Sequence, residues 1–160
     1  MRPSGPIRLC EPGERSDVLE LLIACGLPTD GLADHWGSTW VAVDPGGARG
    51  VLGSVALEFH GKAALLRSLA TRKDQRSRGL GKALFEFAMA RASDRGVEAV
   101  ALLTTTAEPF FARLGFETVS RDALPESLRA SAEFRGACPA TATAMVHRFA
   151  RLPAPPHPSP

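Results

Sequence analysis

Apolar residues recur at Leu80, Ala83, Leu84, Phe87 and Ala88, the i, i+3, i+4, i+7, i+8 spacing of one helix face. The pattern predicts a helix from about Gly79 to Arg95 that stops at Gly96. The mostly apolar run Val97 to Thr104 then reads as a buried strand. Upstream, "STWVAVD", "GVLGSVALEF" and "AALLRSLAT" read as three strands joined by turn signals at Asp44 to Gly47 and His60–Gly61, an antiparallel meander. A short strand at Ile7 to Leu9 precedes a helix at Ser16 to Cys25, with Ser16 as its N-cap and Val18, Leu21, Leu22 and Cys25 on one face. "GLPTDGLADHWG" is a loop with one helical turn. "AEPFFARLGF" predicts a short helix ending at Gly115, a strand begins at Phe116, and "TATAMVHRF" is the last strand. A strand–loop–helix–strand crossover inside an otherwise antiparallel order gives an α+β (mixed α/β) class.

Composition narrows the function classes. A chain of 160 residues fits one domain with a core of its own, and 44% hydrophobic with 22% charged residues are the fractions of a soluble globular protein. A net charge of only +2 argues against a nucleic-acid or membrane partner. Cys10, Cys25 and Cys138 lie far apart with no C-x-x-C pair, which reads as a reduced, intracellular protein without a disulfide framework or zinc site. The N-terminus shows no apolar leader and no run approaches ~20 apolar residues, so the expected location is the cytoplasm and no metal is expected. Residues 5–150 form the expected domain. Leu152 to Pro160 holds five of the 13 prolines and reads as a mobile tail.

The chemistry concentrates in "RSRGLGKAL". A nucleotide P-loop fails here, because Arg76 stands where its first glycine belongs and Ala83 where the magnesium-binding hydroxyl belongs. A dinucleotide fingerprint fails too, because Leu84 occupies the third glycine position. What remains is Arg76-x-x-Gly79-x-Gly81 between a strand and a helix. Free first-turn amides and the helix dipole face the loop, glycines admit close backbone approach, and Arg76, Arg78 and Lys82 add charge. That is the construction of a pyrophosphate site.

On "LLRSLATRKDQRSRGLGKALFEFA" and "LLTTTAEPFFARLGF" the chain resembles the GNAT superfamily of acetyl-CoA-dependent N-acetyltransferases, over nearly all of Ile7 to Phe149. The resemblance implies the acyl-CoA N-acyltransferase fold, a central mixed, mostly antiparallel sheet flanked by helices. It implies acetyl-CoA as cosubstrate, with Leu69, Ala70 and Thr71 offering backbone to the pantetheine and a main-chain N–H near Leu69 or Ala70 polarising the carbonyl. The amides of Ser77, Arg78, Gly79, Leu80, Gly81 and Lys82 would take the pyrophosphate, and Ala107, Phe110 and Phe111 would flank the cofactor arm. "CGLPTDGL", "LLTTTAEPFF" and "EFRGACPATATAM" further resemble GNAT proteins of arsenic-resistance operons and, more distantly, enzymes of the N-acetylglutamate synthase type. Such relatives imply a small amino acid or organoarsenical amino acid as acceptor, with a homodimer as the candidate assembly.

Amine acetylation also needs a base. Glu58, an acid in an otherwise apolar strand, is the candidate, with His60 second. Arg67 amid "LLRSLA", sharing a face with Leu65 and Leu69, is a candidate clamp for an acceptor carboxylate. Trp36 could line the acceptor pocket, Trp40 reads as a packing residue, and Cys138 is a candidate soft ligand for an arsenic-bearing acceptor. The chain has no tyrosine, and Phe111 stands where many GNAT enzymes carry a tyrosine acid. Water, Cys138, Thr104 or Thr105 could serve instead, and a thiolate of pKa about 8.5 can leave unprotonated. Two rival readings follow: a non-catalytic acyl-CoA-binding regulator, and a protein or peptide N-acetyltransferase.

Overall fold

The computed structural model describes residues 6–47 and 50–149, so the proline-rich segment at 151–160 lies outside the described residues. Strand β1 (Ile7–Leu9) leads to helix α1 (Arg15–Ala24), then β2 (Thr39–Val43), β3 (Val51–His60) and β4 (Ala63–Thr71). Helix α2 (Leu80–Asp94), β5 (Ala99–Thr104), α3 (Glu108–Arg113), β6 (Glu117–Val119) and β7 (Thr143–Arg148) follow. The seven strands form one sheet in the order β1-β2-β3-β4-β5-β7-β6, with every pair antiparallel except β4 and β5. Those two are parallel because α2 carries the chain back across the sheet.

One face of the sheet packs Trp40, Leu52, Leu57, Leu66 and Val100 against Leu80, Leu84, Phe85 and Ala88 of α2 and Phe111 of α3. The approach is tight at Gly53, where a Cβ would stand 2.8 Å from a Leu84 methyl and 3.0 Å from the Ala70 carbonyl. The opposite face carries two further clusters. Val18 and Leu22 of α1 cover Val41, Val51, Ala56 and Ala70; Leu124 and Leu128 cover Leu65, Ala101 and Val146.

Two expectations change. Ser16 lies inside α1; the chain instead enters through a short 3-10 turn, Pro12–Glu14, in which Glu11 and Glu14 form a reciprocal capping box. Leu69 does not share a face with Arg67 and Leu65. It packs on the α2 side while Leu65 packs on the other, because a bulge interrupts the β3–β4 register between Ser54 and Ala56 and resets the alternation.

Candidate active site

Strands β4 and β5 pair only at Ala63↔Ala99, Ala64↔Val100 and Leu65↔Ala101. Beyond that point β4 stays paired to β3 as far as Thr71, and β5 stays paired to β7 as far as Thr104. The facing edges of β4 and β5 therefore diverge, and their backbone groups open onto a cavity of about 550 Å³. The bulge lies on this edge. Ser68 takes φ 60°, rare for a residue with a side chain, and the Ser54 hydroxyl donates to its carbonyl at 2.8 Å. Strained backbone is held here by a buried hydrogen bond, at the point where the cavity opens.

One end of the cavity meets the glycine loop. Ser77 (φ 69°) and Gly79 (φ 80°) are both left-handed, which curls the loop into the N-terminus of α2. The first intrahelical acceptor is the Gly79 carbonyl, receiving Ala83 N–H at 3.0 Å, so the amides of the first turn have no partner within the helix. Arg76 and Gly81 line the cavity, and the Arg76 guanidinium reaches across to Cys25 Sγ at 3.8 Å. An extended arm ending in an anion fits this arrangement: strand edge for the arm, open amides and arginine for the charge.

At the other end sits a buried ionic cluster. Arg67, with its side chain 0% exposed, donates from Nη1 to Glu58 Oε2 at 2.7 Å, from Nη2 to the Pro28 carbonyl at 3.2 Å and from Nε to Ser68 Oγ at 3.3 Å. Glu133 Oε2 stands 3.4 Å from the same Nε. Burial works to raise the Glu58 pKa, but hydrogen bonds from Arg67, His60 and Ser131 outweigh it, and the carboxyl lies below its usual range. Glu133 has fewer partners. Burial pushes its pKa to about 7, with the Arg67 charge opposing and Glu58 adding to the rise. Cys138 is pushed to about 12, first by burial and then by the Glu133 carboxylate beside it.

Several expected site residues meet at this cavity. Leu69, Ala70 and Thr71 form one wall, and Ala107, Phe110 and Phe111 stand opposite, with Thr105 at the end of β5. Phe111 is packed among Phe85, Phe110 and Phe116 and carries no proton to give. Thr104 Oγ1 accepts the Ala107 N–H at 2.9 Å, which fastens the start of α3.

Other expected residues sit elsewhere. Leu80 turns its side chain into the core, Lys82 lies 3.8 Å from Glu86 along the helix, and Ser77, Arg78 and Gly79 are exposed on the loop. Trp36 is away from the cavity lining and packs near Val41, with the Arg15 guanidinium over its ring. Glu58 is fully buried and ion-paired, so its carboxylate does not face the cavity. Arg67, by contrast, lines the cavity, but its fork is already engaged by oxygens of Glu58, Pro28 and Ser68.

The residue that sequence reasoning passed over is Glu133. It lies in a single π-type turn, Glu133–Ala137, and together with Cys138 and Pro139 it lines the cavity. Its turn has no period to read. The one available signal was an acid amid small residues in "ASAEFRGACP".

A family model described as the acetyltransferase (GNAT) domain matches residues 35–118. The chain belongs to the GNAT acetyltransferase family. The match spans β2 to β6 and contains the diverging strands, the glycine loop and α3. Acetyl-CoA is the cosubstrate of the GNAT family.

Among curated proteins, an uncharacterized N-acetyltransferase of Chlorobaculum tepidum is 35% identical over 79 residues, which is 49% of this chain and 50% of the relative. The chain thus spans about half the length of that relative. Among solved structures, N-acetylglutamate synthase from Neisseria gonorrhoeae, complexed with coenzyme A and N-acetyl-glutamate, superposes with a TM-score of 0.76 at 23% identity. That likeness covers 91% of this chain and 35% of the synthase. A GNAT-family acetyltransferase from Staphylococcus aureus gives a TM-score of 0.73 at 15% identity over 89% of this chain and 98% of the other. At these identities the structural likeness establishes the fold.

Proposed function

We propose that the protein transfers the acetyl group of acetyl-CoA to the amine of a small amino-acid-like acceptor, with Glu133 as the base. The observation that carries the reading is the meeting of two features in one cavity: the free edge of β4 and a buried carboxylate with its pKa near neutrality. Bound acetyl-CoA supplies an electrophilic thioester carbonyl and a thiolate leaving group. Arg76 and the open amides from Leu80 to Lys82 hold the pyrophosphate. The strand edge from Leu69 to Thr71 holds the arm, and an edge N–H polarises the carbonyl. Glu133 takes the proton of the acceptor ammonium, directly or through one water. The nitrogen then forms its bond to the carbonyl carbon, the carbon–sulfur bond breaks, and the nitrogen's remaining excess proton passes through water to the departing thiolate, with no dedicated acid.

Arg67 and Glu58 act behind Glu133. The ion pair fixes the guanidinium, and the guanidinium holds the Glu133 carboxylate within its turn. Support for a small acceptor comes from the cavity wall, where Gly26 to Pro28 and the turn at Glu133 close over the strands. At Gly31 a Cβ would meet the Ala132 Cβ at 2.7 Å, so these two segments are in close contact. An amino-acid acceptor is further supported by the likeness to a synthase crystallised with N-acetyl-glutamate. Organoarsenical amino acids belong in the same acceptor panel on the strength of the sequence resemblance. The test is release of free CoA with amino acids, organoarsenicals, polyamines and peptides, with the acetylated product identified by mass.

Phe111 favours a second reading, a module that binds acyl-CoA without turnover. Acetyl-CoA binding with no CoA release on any amine would establish that reading instead.

A further inference from the structure

On the side of Glu58 away from Arg67, two histidines aim the same ring nitrogen at one carboxylate oxygen. His60 Nε2 lies 2.8 Å and His35 Nε2 3.5 Å from Glu58 Oε1, and the two rings meet edge-on with centroids 6.1 Å apart. All three ligand atoms fall within 4.8 Å of one another. The arrangement has a simple origin in the chain. Glu58 and His60 are two apart on β3 and so face the same side, and His35 is brought over them by the 3-10 segment Leu32–Ser38. That segment leaves helical geometry at His35 itself, with φ −129° and ψ 21°.

We propose that His35, Glu58 Oε1 and His60 bind one divalent metal ion of the zinc class. Zinc bonds of about 2.0–2.2 Å in a tetrahedron put neighbouring ligand atoms about 3.3 Å apart. The two histidine–carboxylate separations of 2.8 and 3.5 Å bracket that value, and with all three atoms within 4.8 Å an ion is reached by side-chain adjustment of the two histidines. Two imidazoles and a carboxylate without thiolate suit zinc and its first-row neighbours, and exclude calcium and magnesium, which take all-oxygen shells. Three protein ligands leave a fourth position for water or a small anion. The carboxylate is already oriented from behind: Arg67 Nη1 holds Oε2 at 2.7 Å, the outer-sphere partner that fixes a metal-binding carboxylate. His35 and His60 are each partly exposed, so the ion has a path from solvent. Bound metal pins the 3-10 segment to the end of β3 and shares Glu58 with the ion pair that supports the cavity.

Without a metal, the same contacts are a His60–Glu58 hydrogen bond with His35 beside it, and the experiment separates the two. Tag-free, chelator-treated full-length protein is titrated with Co²⁺ and then with Zn²⁺. The expected result is one Co²⁺ per chain with visible d–d bands that Zn²⁺ abolishes, and histidine-ring NMR signals of His35 and His60 that move while that of His147 does not. His35→Gln and His60→Gln should each weaken binding by more than ~100-fold, beyond the ~10–100-fold typical of losing an outer-sphere partner. The NMR arm uses the wild-type chain and does not depend on either variant folding. Absence of d–d bands, or wild-type affinity in either variant, or ring signals at His35 and His60 that Zn²⁺ leaves in place, overturns the proposal.

Discussion

Arg67→Met removes the only cation touching Glu58 Oε2 among the described residues and leaves a carboxylate that is 0% exposed with only His60, His35 and Ser131 about it. Deleting one partner of a buried pair costs ~3–5 kcal/mol, because the remaining charge keeps its desolvation penalty and loses its compensation. For a domain of this size each kcal/mol moves Tm by ~2–4 °C, so the variant should melt ~6–20 °C lower. Adding Glu58→Gln should recover much of the loss, because the Glu58 charge left without Arg67 is then gone. The pH dependence has a definite sign. Glu58 has a lowered pKa in the folded protein, so the stability it contributes is present above its unfolded value of 4.5 and is lost as pH falls through the folded value. In the variant burial acts with less opposition and raises that pKa. The gap between wild type and variant should therefore be widest near pH 7 and shrink toward pH 4.5. Urea melts of the four proteins, with m-values compared, measure all of this. A loss under ~1 kcal/mol, or strictly additive single and double effects, would refute the internal-hub role and return Arg67 to the acceptor.

Other outcomes follow from the same geometry. Glu133 has a raised folded pKa of about 7 against 4.5 unfolded, so the native state binds the extra proton between those values and loses stability as pH rises through them. Glu133→Gln removes that cost, and its stability relative to wild type should rise between pH 5 and pH 8 by ~3 kcal/mol at 1.36 kcal/mol per unit; equal pH profiles in denaturant melts would contradict it. Gly79→Val forces a β-branched residue into φ 80° at the start of α2 and should weaken acetyl-CoA binding at least ~10-fold by calorimetry, with Tm recorded as the fold control. Gly53→Ala drives a methyl against Leu84 and the Ala70 carbonyl and should cost ~1–3 kcal/mol in thermal melts, with unchanged stability as the contrary result.

The regular part of the fold was legible because its periods are strong. The Leu80–Ala88 spacing and the apolar run before Thr104 mark α2 and β5 to within two residues. The glycine loop was legible because Arg76, Gly79 and Gly81 are hard to explain as packing. The acid end of the site was not. A bulge at Ser68 breaks the alternation of β4, so counting from Leu65 misassigns the face of Leu69. Glu58 looks like a lone acid in sequence; its partners Arg67, Ser131 and His35 come from three separate segments that only the fold assembles. Glu133 belongs to a run of short 3-10 and π turns between β6 and β7, where no hydrophobic period exists to read. Cysteine spacing likewise said nothing of a histidine–carboxylate cluster built from β3 and the segment before β2.

The most direct test of the central claim is the pH dependence of kcat/KM for acetyl transfer by wild type and Glu133→Gln, on the acceptor that the panel identifies. Wild-type activity should rise with pH to a plateau along a limb near 7, as the Glu133 carboxyl loses its proton. The variant should lose ~10²–10⁴-fold at neutral pH, lack that limb, and regain activity only as free amine accumulates at high pH. Acetyl-CoA affinity should be unchanged. Full turnover in Glu133→Gln with the limb near 7 intact would contradict the account.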